Sequence, residues 1–177
     1  QPGLIVHPTK GHPFHTIANG LMNYMLNNGQ KYKIRFANRI DMDTSGIVIV
    51  AKNANSQNDI SLQMRENLVH KQYMAIVNEF TIDKPIGRPN EESIQRKVLS
   101  EGGKDAITDV KVLERFYNNT LVEVTLHTGR THQIRVHLAH IGHPITGDHL
   151  YEGDAPALID RQALHAAKMI VNHPMTG

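Results

Sequence analysis

Asn38-Arg39-Ile40-Asp41-Met42-Asp43-Thr44-Ser45-Gly46, followed at once by Ile47-Val48-Ile49-Val50-Ala51, is the stretch on which the reading of this chain turns. Its first nine residues bring together two carboxylates, an arginine, two hydroxyls and a glycine. Its last five are apolar and mostly β-branched, the composition of a buried strand, which is predicted over 47–52. Polar loops that enter core strands are where rigid scaffolds hold reactive groups. Asp41 or Asp43 is therefore a candidate nucleophile or base, with Arg39 close by in the chain. Asx and hydroxyl turns also precede strands for purely structural reasons. Residue chemistry alone leaves both readings open.

Outward from this stretch, helices and strands alternate without a regular βαβ rhythm, which predicts an α+β fold. Ile17, Leu21 and Met25 recur four apart and predict a helix over 16–28. A second helix is predicted over 55–66, capped by Asn55 or Ser56, with Ile60 and Met64 on one face. Strands are predicted over 70–78, with Tyr73, Ala75 and Val77 on one side, over 106–116, and over 120–127, with Val122, Val124 and Leu126 aligned. Thr131 can cap a helix over 131–141, and a final helix is expected over 161–171. Residues 84–105 are punctuated by Pro and Gly and carry Lys84, Arg88, Arg96, Lys97 and Lys104. They suit a basic loop or hairpin insertion that could close over a polyanion.

At 177 residues the chain most simply forms one domain with a full core. The absence of cysteine excludes disulfides and thiol catalysis, and is compatible with a cytoplasmic protein. No apolar run is long enough to suggest a membrane span. The net charge of +2 means that any nucleic-acid site is a local basic patch, since the chain as a whole is not strongly basic.

The motifs carry a resemblance. Asn38 to Gly46 resembles the H-R-L-D-x-x-T-S-G signature of the RluA-type RNA pseudouridine synthases, with Asn38 in place of His and Ile40 in place of Leu. Further matches follow in the family's order. They are Gly3-Leu4-Ile5-Val6-His7-Pro8, Lys71-Gln72-Tyr73-Met74-Ala75-Ile76-Val77, Pro85-Ile86-Gly87-Arg88 and the block from His127 to His137. Gly142-His143-Pro144-Ile145, Gly147-Asp148 and Arg161-Gln162-Ala163-Leu164-His165-Ala166 complete the set. The resemblance implies the pseudouridine-synthase fold, a mixed, largely antiparallel central sheet flanked by helices and loops, with an RNA cleft across it. Members often carry an N-terminal RNA-binding S4 domain. Residues 1–177 are read as the catalytic domain alone, trimmed at both ends.

The resemblance also implies a reaction. The N1–C1′ bond of a uridine within RNA breaks, the uracil turns, and it rejoins through C5, with no cofactor. Asp41 is the implied catalytic group, either attacking C1′ or removing a proton from C2′. Tyr73 would stack on the extruded base or relay a proton. A buried carboxylate needs a cation. Arg130 is the chosen partner, with Arg135 the alternative that could instead hold RNA phosphate. Arg39, Arg135, His132 and Thr44 complete the expected RNA-binding set. Arg39 could instead form a salt bridge with Asp43, while Thr44 and Ser45 could simply brace the turn. Large-subunit ribosomal RNA is the expected substrate, with transfer RNA second and no membrane partner. The substitution at position 38 excludes proton transfer by a histidine there.

Two other readings compete. One is a non-catalytic RNA-binding or ribosome-assembly module of the same fold. The other is a metal-assisted hydrolase built on the histidines around His127, His132, His137, His140 and His143. The second is weak, since there is no H-E-x-x-H and no cysteine, and no metal is expected.

Overall fold

Thr16 and Asn19 close a reciprocal capping box that starts α1 (Ile17–Asn27), the first element of the computed structural model. The structure describes residues 1–76, 80–117, 119–153 and 159–176. The chain divides into two compact units, Gln1–Val69 with Met169–Gly177, and His70–Lys168.

In the first unit α1 is followed by β1 (Arg35–Phe36), β2 (Ser45–Gly46), β3 (Val50–Ala51) and α2 (Ala54–Arg65). β1 and β3 pair antiparallel, Arg35 against Ala51 and Phe36 against Val50, so residues 37–49 form the loop of a hairpin. The strand expected over 47–52 shortens to Val50–Ala51. The amide of Asn38 explains this. It accepts from the Ile49 N–H at 2.7 Å and donates to the Ile47 carbonyl at 3.0 Å, taking backbone groups that a longer ladder would use. The cap of α2 is Asn53, whose side chain accepts from the Ser56 N–H; Asn55 and Ser56 lie within the helix. Gln63, buried on α2, exchanges two hydrogen bonds with the backbone of Asn172 and fastens the C-terminal segment.

The second unit contains β4 (His70–Ile76), β5 (Phe80–Asp83), β6 (Ile86–Gly87), β7 (Lys97–Val98), β8 (Ile107–Arg115), β9 (Thr120–Leu126), α3 (Gln133–His140) and β10 (His165–Ile170), whose last two residues belong to the first unit. Five of these strands lie in one sheet in the order β10-β4-β9-β8-β5, and β6 pairs separately with β7. The β4–β9, β9–β8 and β8–β5 pairs are antiparallel, as expected of the fold. Ala75, Val110, Val122, Val124 and Leu126 line one face, and Ile134 and Leu138 of α3 join the same apolar cluster. A smaller cluster of Ile86, Ala106 and Val136 seats the β6–β7 hairpin. No helix among the described residues is long and apolar enough to cross a membrane.

Three expectations need correction or limits here. Residues 161–171 contain no helix. Leu164 and Ala166 are buried while His165 between them is exposed, the two-residue period of β10, and sheet pairing overrides the helix preference of the alanines. Thr131 does not cap α3. The residue before the helix is His132, held left-handed at φ 58°, with no side-chain cap. Val77 and Asn78, the end of the strand expected over 70–78, lie outside the described residues.

Candidate active site

The first unit holds the Asp41 loop by its backbone. The Thr44 N–H donates to the Asp41 carbonyl at 3.0 Å, closing a tight turn through Met42 and Asp43. The Met42 carbonyl accepts from the Gly3 N–H at 2.8 Å, which ties the turn to the N-terminal segment. Gly46 leaves the loop at φ 123°, a region that side-chain-bearing residues rarely occupy. One rung beyond the β1–β3 pair the Ala37 N–H donates to the Ile49 carbonyl, and Asn38 closes the next rung with its side chain. Asp41 is thus half-buried on a loop fixed at its stem and at its turn. Arg39 is exposed on the same loop, whereas Thr44 is 3% exposed.

In the second unit Tyr73 lies on β4, opposite Val124 and partly buried against the apolar cluster. Lys71 precedes it by two residues and shares its face. The Lys71 ammonium lies 3.5 Å from where a Cβ on Gly129 would stand. Its pKa is held below the ordinary lysine value, first by burial and then by the charge of Arg130. Arg130 is exposed and donates from Nε to the Asp105 carbonyl at 2.8 Å. A tyrosine and two cations therefore gather where β4 meets the loop before α3.

Gln133 builds that loop. Its Oε1 accepts from the Arg130 N–H and the Thr128 hydroxyl, and its Nε2 donates to the Ile107 carbonyl and the Thr108 hydroxyl. Every hydrogen-bonding position of this buried amide is used. Thr108 continues the chain to His137, which is wholly buried. The Lys84 carbonyl accepts from His137 Nε2 at 2.9 Å, so the neutral ring carries its proton there and Nδ1 accepts from Thr108. Burial, the largest influence, lowers the pKa of His137.

Arg135 is not placed to meet phosphate. It is 7% exposed, and its Nε and Nη2 grip the two carboxylate oxygens of wholly buried Asp148, each at 2.7 Å. The guanidinium also lies 5.0 Å from the centre of the Tyr151 ring. His132 meets the Tyr151 hydroxyl through Nδ1 at 2.8 Å, organising the turn that bears Arg130. Two arginines of the expected basic loop also turn inward on their own segment, Arg88 to the Glu91 carbonyl and Arg96 to those of Ser93, Ile94 and Gln95. Among the described residues no three His, Asp or Glu side chains converge as a metal set.

The sequence reading assigns no role to Asn38, Gln133, Asp148 or Lys71, although each lies in a quoted motif. Their place inside those motifs is the available signal.

A family model described as RNA pseudouridylate synthase matches residues 1–140, a span that runs through Asp41, Tyr73 and Arg130. The chain belongs to that family. The RluA-type resemblance agrees with its relatives. Ribosomal large subunit pseudouridine synthase D of Nitrosomonas europaea is 38% identical over 188 aligned positions, covering 99% of this chain and 54% of that protein. An uncharacterised RNA pseudouridine synthase of Bacillus subtilis is 41% identical, covering 99% and 60%. The chain thus spans between half and two thirds of the length of these curated relatives. Human RNA pseudouridylate synthase domain containing 1 superposes with a TM-score of 0.68 at 29% identity, over 85% of this chain and 66% of that one. Human RNA pseudouridylate synthase domain containing 4 shares the fold, with a TM-score of 0.77 at 24% identity over 97% of this chain and 78% of that one.

Proposed function

We propose that this chain isomerises specific uridines in structured RNA to pseudouridine, with large-subunit ribosomal RNA as the substrate. The observation that carries this reading is the family match through residues 1–140, within which the Arg39-x-Asp41-x-x-Thr44-Ser45-Gly46 pattern is intact. In this reading Asp41 is the catalytic carboxylate, acting at C1′ or C2′ of the target ribose. Tyr73 stacks on the extruded uracil and its hydroxyl relays a proton. Arg130 supplies the cation that keeps the carboxylate ionised, and exposed Arg39 holds a neighbouring base or phosphate. The burial of Arg135 and Thr44 argues for bracing roles, so both leave the set of direct RNA contacts. His132 acts through Tyr151 on the same turn. The reaction requires no cofactor.

The test is tritium release from RNA labelled at uracil C5, because rejoining through C5 expels that hydrogen. Unmodified ribosomal RNA should release tritium with the wild type. Asp41→Asn should release none while RNA affinity stays within a few-fold. Equal turnover by the variant would sink the role of Asp41. A wild type that binds RNA without release would favour the non-catalytic module.

A further inference from the structure

The modest net charge hides an uneven distribution. The first unit holds seven lysines and arginines against four acids, the second twelve against thirteen. Residues 1–40 contain no Asp or Glu at all. Of the first unit's four acids, Asp41 and Asp43 lie in the hairpin loop, Asp59 lies on α2 and Glu66 at its C-cap.

Three cations fall at two-residue spacing leading into the hairpin, at Lys31, Lys33 and Arg35, the last of them the first residue of β1. Lys31 and Lys33 are exposed while Tyr32 and Ile34 between them are half-buried, the alternation of an extended segment running into β1. In such backbone, alternate side chains leave one face roughly 6–7 Å apart. The Arg35 Nη1 donates to the Lys33 carbonyl at 2.8 Å, which folds the guanidinium back along the segment. Across the hairpin, exposed Lys52 follows β3, and its ammonium lies 5.9 Å from the centre of the Tyr32 ring. Arg35 stands opposite Ala51, so Lys52 turns to the face of Tyr32 and Ile34, and the strip on the other face is the three cations Lys31, Lys33 and Arg35, running into the stem of the hairpin whose loop carries Asp41.

We propose that the strip of Lys31, Lys33 and Arg35 is a docking surface for an RNA phosphodiester backbone, gripping the substrate outside the reacting nucleotide. A row of cations free of interspersed acids, exposed at Lys31 and Lys33 and half-buried at Arg35, matches a row of phosphates, and it carries no base-specific information. Because the strip is continuous with the hairpin stem, RNA lying along it is led toward the Asp41 loop. This inference rests on the RNA reading above.

The experiment is fluorescence anisotropy with a labelled fragment of unmodified ribosomal RNA across a salt series, every protein carrying Asp41→Asn. Lys31→Ala/Lys33→Ala is compared with a charge-matched control, Lys111→Ala/Lys168→Ala, two exposed lysines of the second unit. Loss of two phosphate contacts should flatten the slope of log affinity against log salt by about 1.4–1.8, and weaken binding roughly tenfold or more near 0.1 M salt. The control should leave the slope as it was. Equal slopes for the two double variants overturn the proposal. The synthase reading is scored separately, by tritium release from proteins with Asp41 intact. If wild type releases none while the strip variant still loses RNA affinity, the docking surface stands and the catalytic assignment falls.

Discussion

Asn38 performs the work of a strand partner with a side chain. Its amide supplies one donor and one acceptor, and the loop uses both. Asn38→Ala should cost about 1–2 kcal/mol, the net worth of two hydrogen bonds. Asn38→Asp should cost at least as much, because a carboxylate would face the Ile47 carbonyl. Thermal melts give the ranking, and an unchanged melting temperature for the alanine variant would dismiss the clamp. Turnover should fall in both variants while RNA affinity holds, since the clamp acts on the position of Asp41. Lys71 presents the opposite case. Burial and the neighbouring Arg130 both oppose its charge. Its folded pKa is lowered, so at neutral pH the protonated amine works against the fold. Lys71→Met should therefore raise the melting temperature, by about 2–4 °C if relief amounts to ~1 kcal/mol. A drop in melting temperature would mean that the ammonium has a stabilising partner in the folded chain.

At the scale of elements, α3 shows why function and architecture are hard to separate in a motif. Arg130 and Arg135 stand five residues apart, and the sequence reading makes Arg130 the carboxylate's partner, with Arg135 the alternative or a phosphate contact. Helix geometry divides them. Arg130 precedes the helix and is exposed, whereas Arg135 falls on the buried face, where Asp148 waits. Removing one member of a buried pair strands the other, so Arg135→Met should cost about 3–5 kcal/mol. Arg135→Met/Asp148→Leu should recover most of that loss in denaturant unfolding. If the single variant were stable yet RNA affinity fell, Arg135 would be a phosphate contact after all. The longer elements were legible because their apolar residues keep a clear period. Ile17, Leu21 and Met25 mark α1, and Val122, Val124 and Leu126 mark β9. Short strands gave no such signal. β1 has two residues, and β5 lies in a stretch to which no element was assigned. The error over 161–171 has a physical cause: Ala163, Ala166 and Ala167 favour helix locally, but the pairing of β10 beside β4 is a long-range fact. The candidate catalytic residues were legible through motif alone. Asp41, Tyr73 and Arg130 differ in no local way from an ordinary turn acid, strand tyrosine and surface arginine.

Across the whole molecule, resistance to acid should depend on a histidine to which the proposed chemistry gives no part. His137 joins β8 through Thr108, the segment after β5 through the Lys84 carbonyl, and α3 through its own backbone. Its neutral ring fits this network, and burial lowers its pKa. Unfolding frees the ring to titrate near the usual value of about 6.5. Above that value neither state holds the extra proton, and the contribution to stability is fully present. As the pH falls below it, the unfolded chain takes up a proton that the folded chain refuses, so stability declines until the lowered folded pKa is reached. One proton limits the slope to about 1.4 kcal/mol per pH unit. The chain has eleven other histidines, so the useful quantity is the difference between wild type and His137→Gln. The variant should be less stable at pH 8, where it loses the network. Between pH 7 and pH 5 its stability should decline less steeply than that of the wild type. Parallel curves over that interval would mean that His137 accepts a proton as readily in the folded chain as in the unfolded one, contrary to its burial.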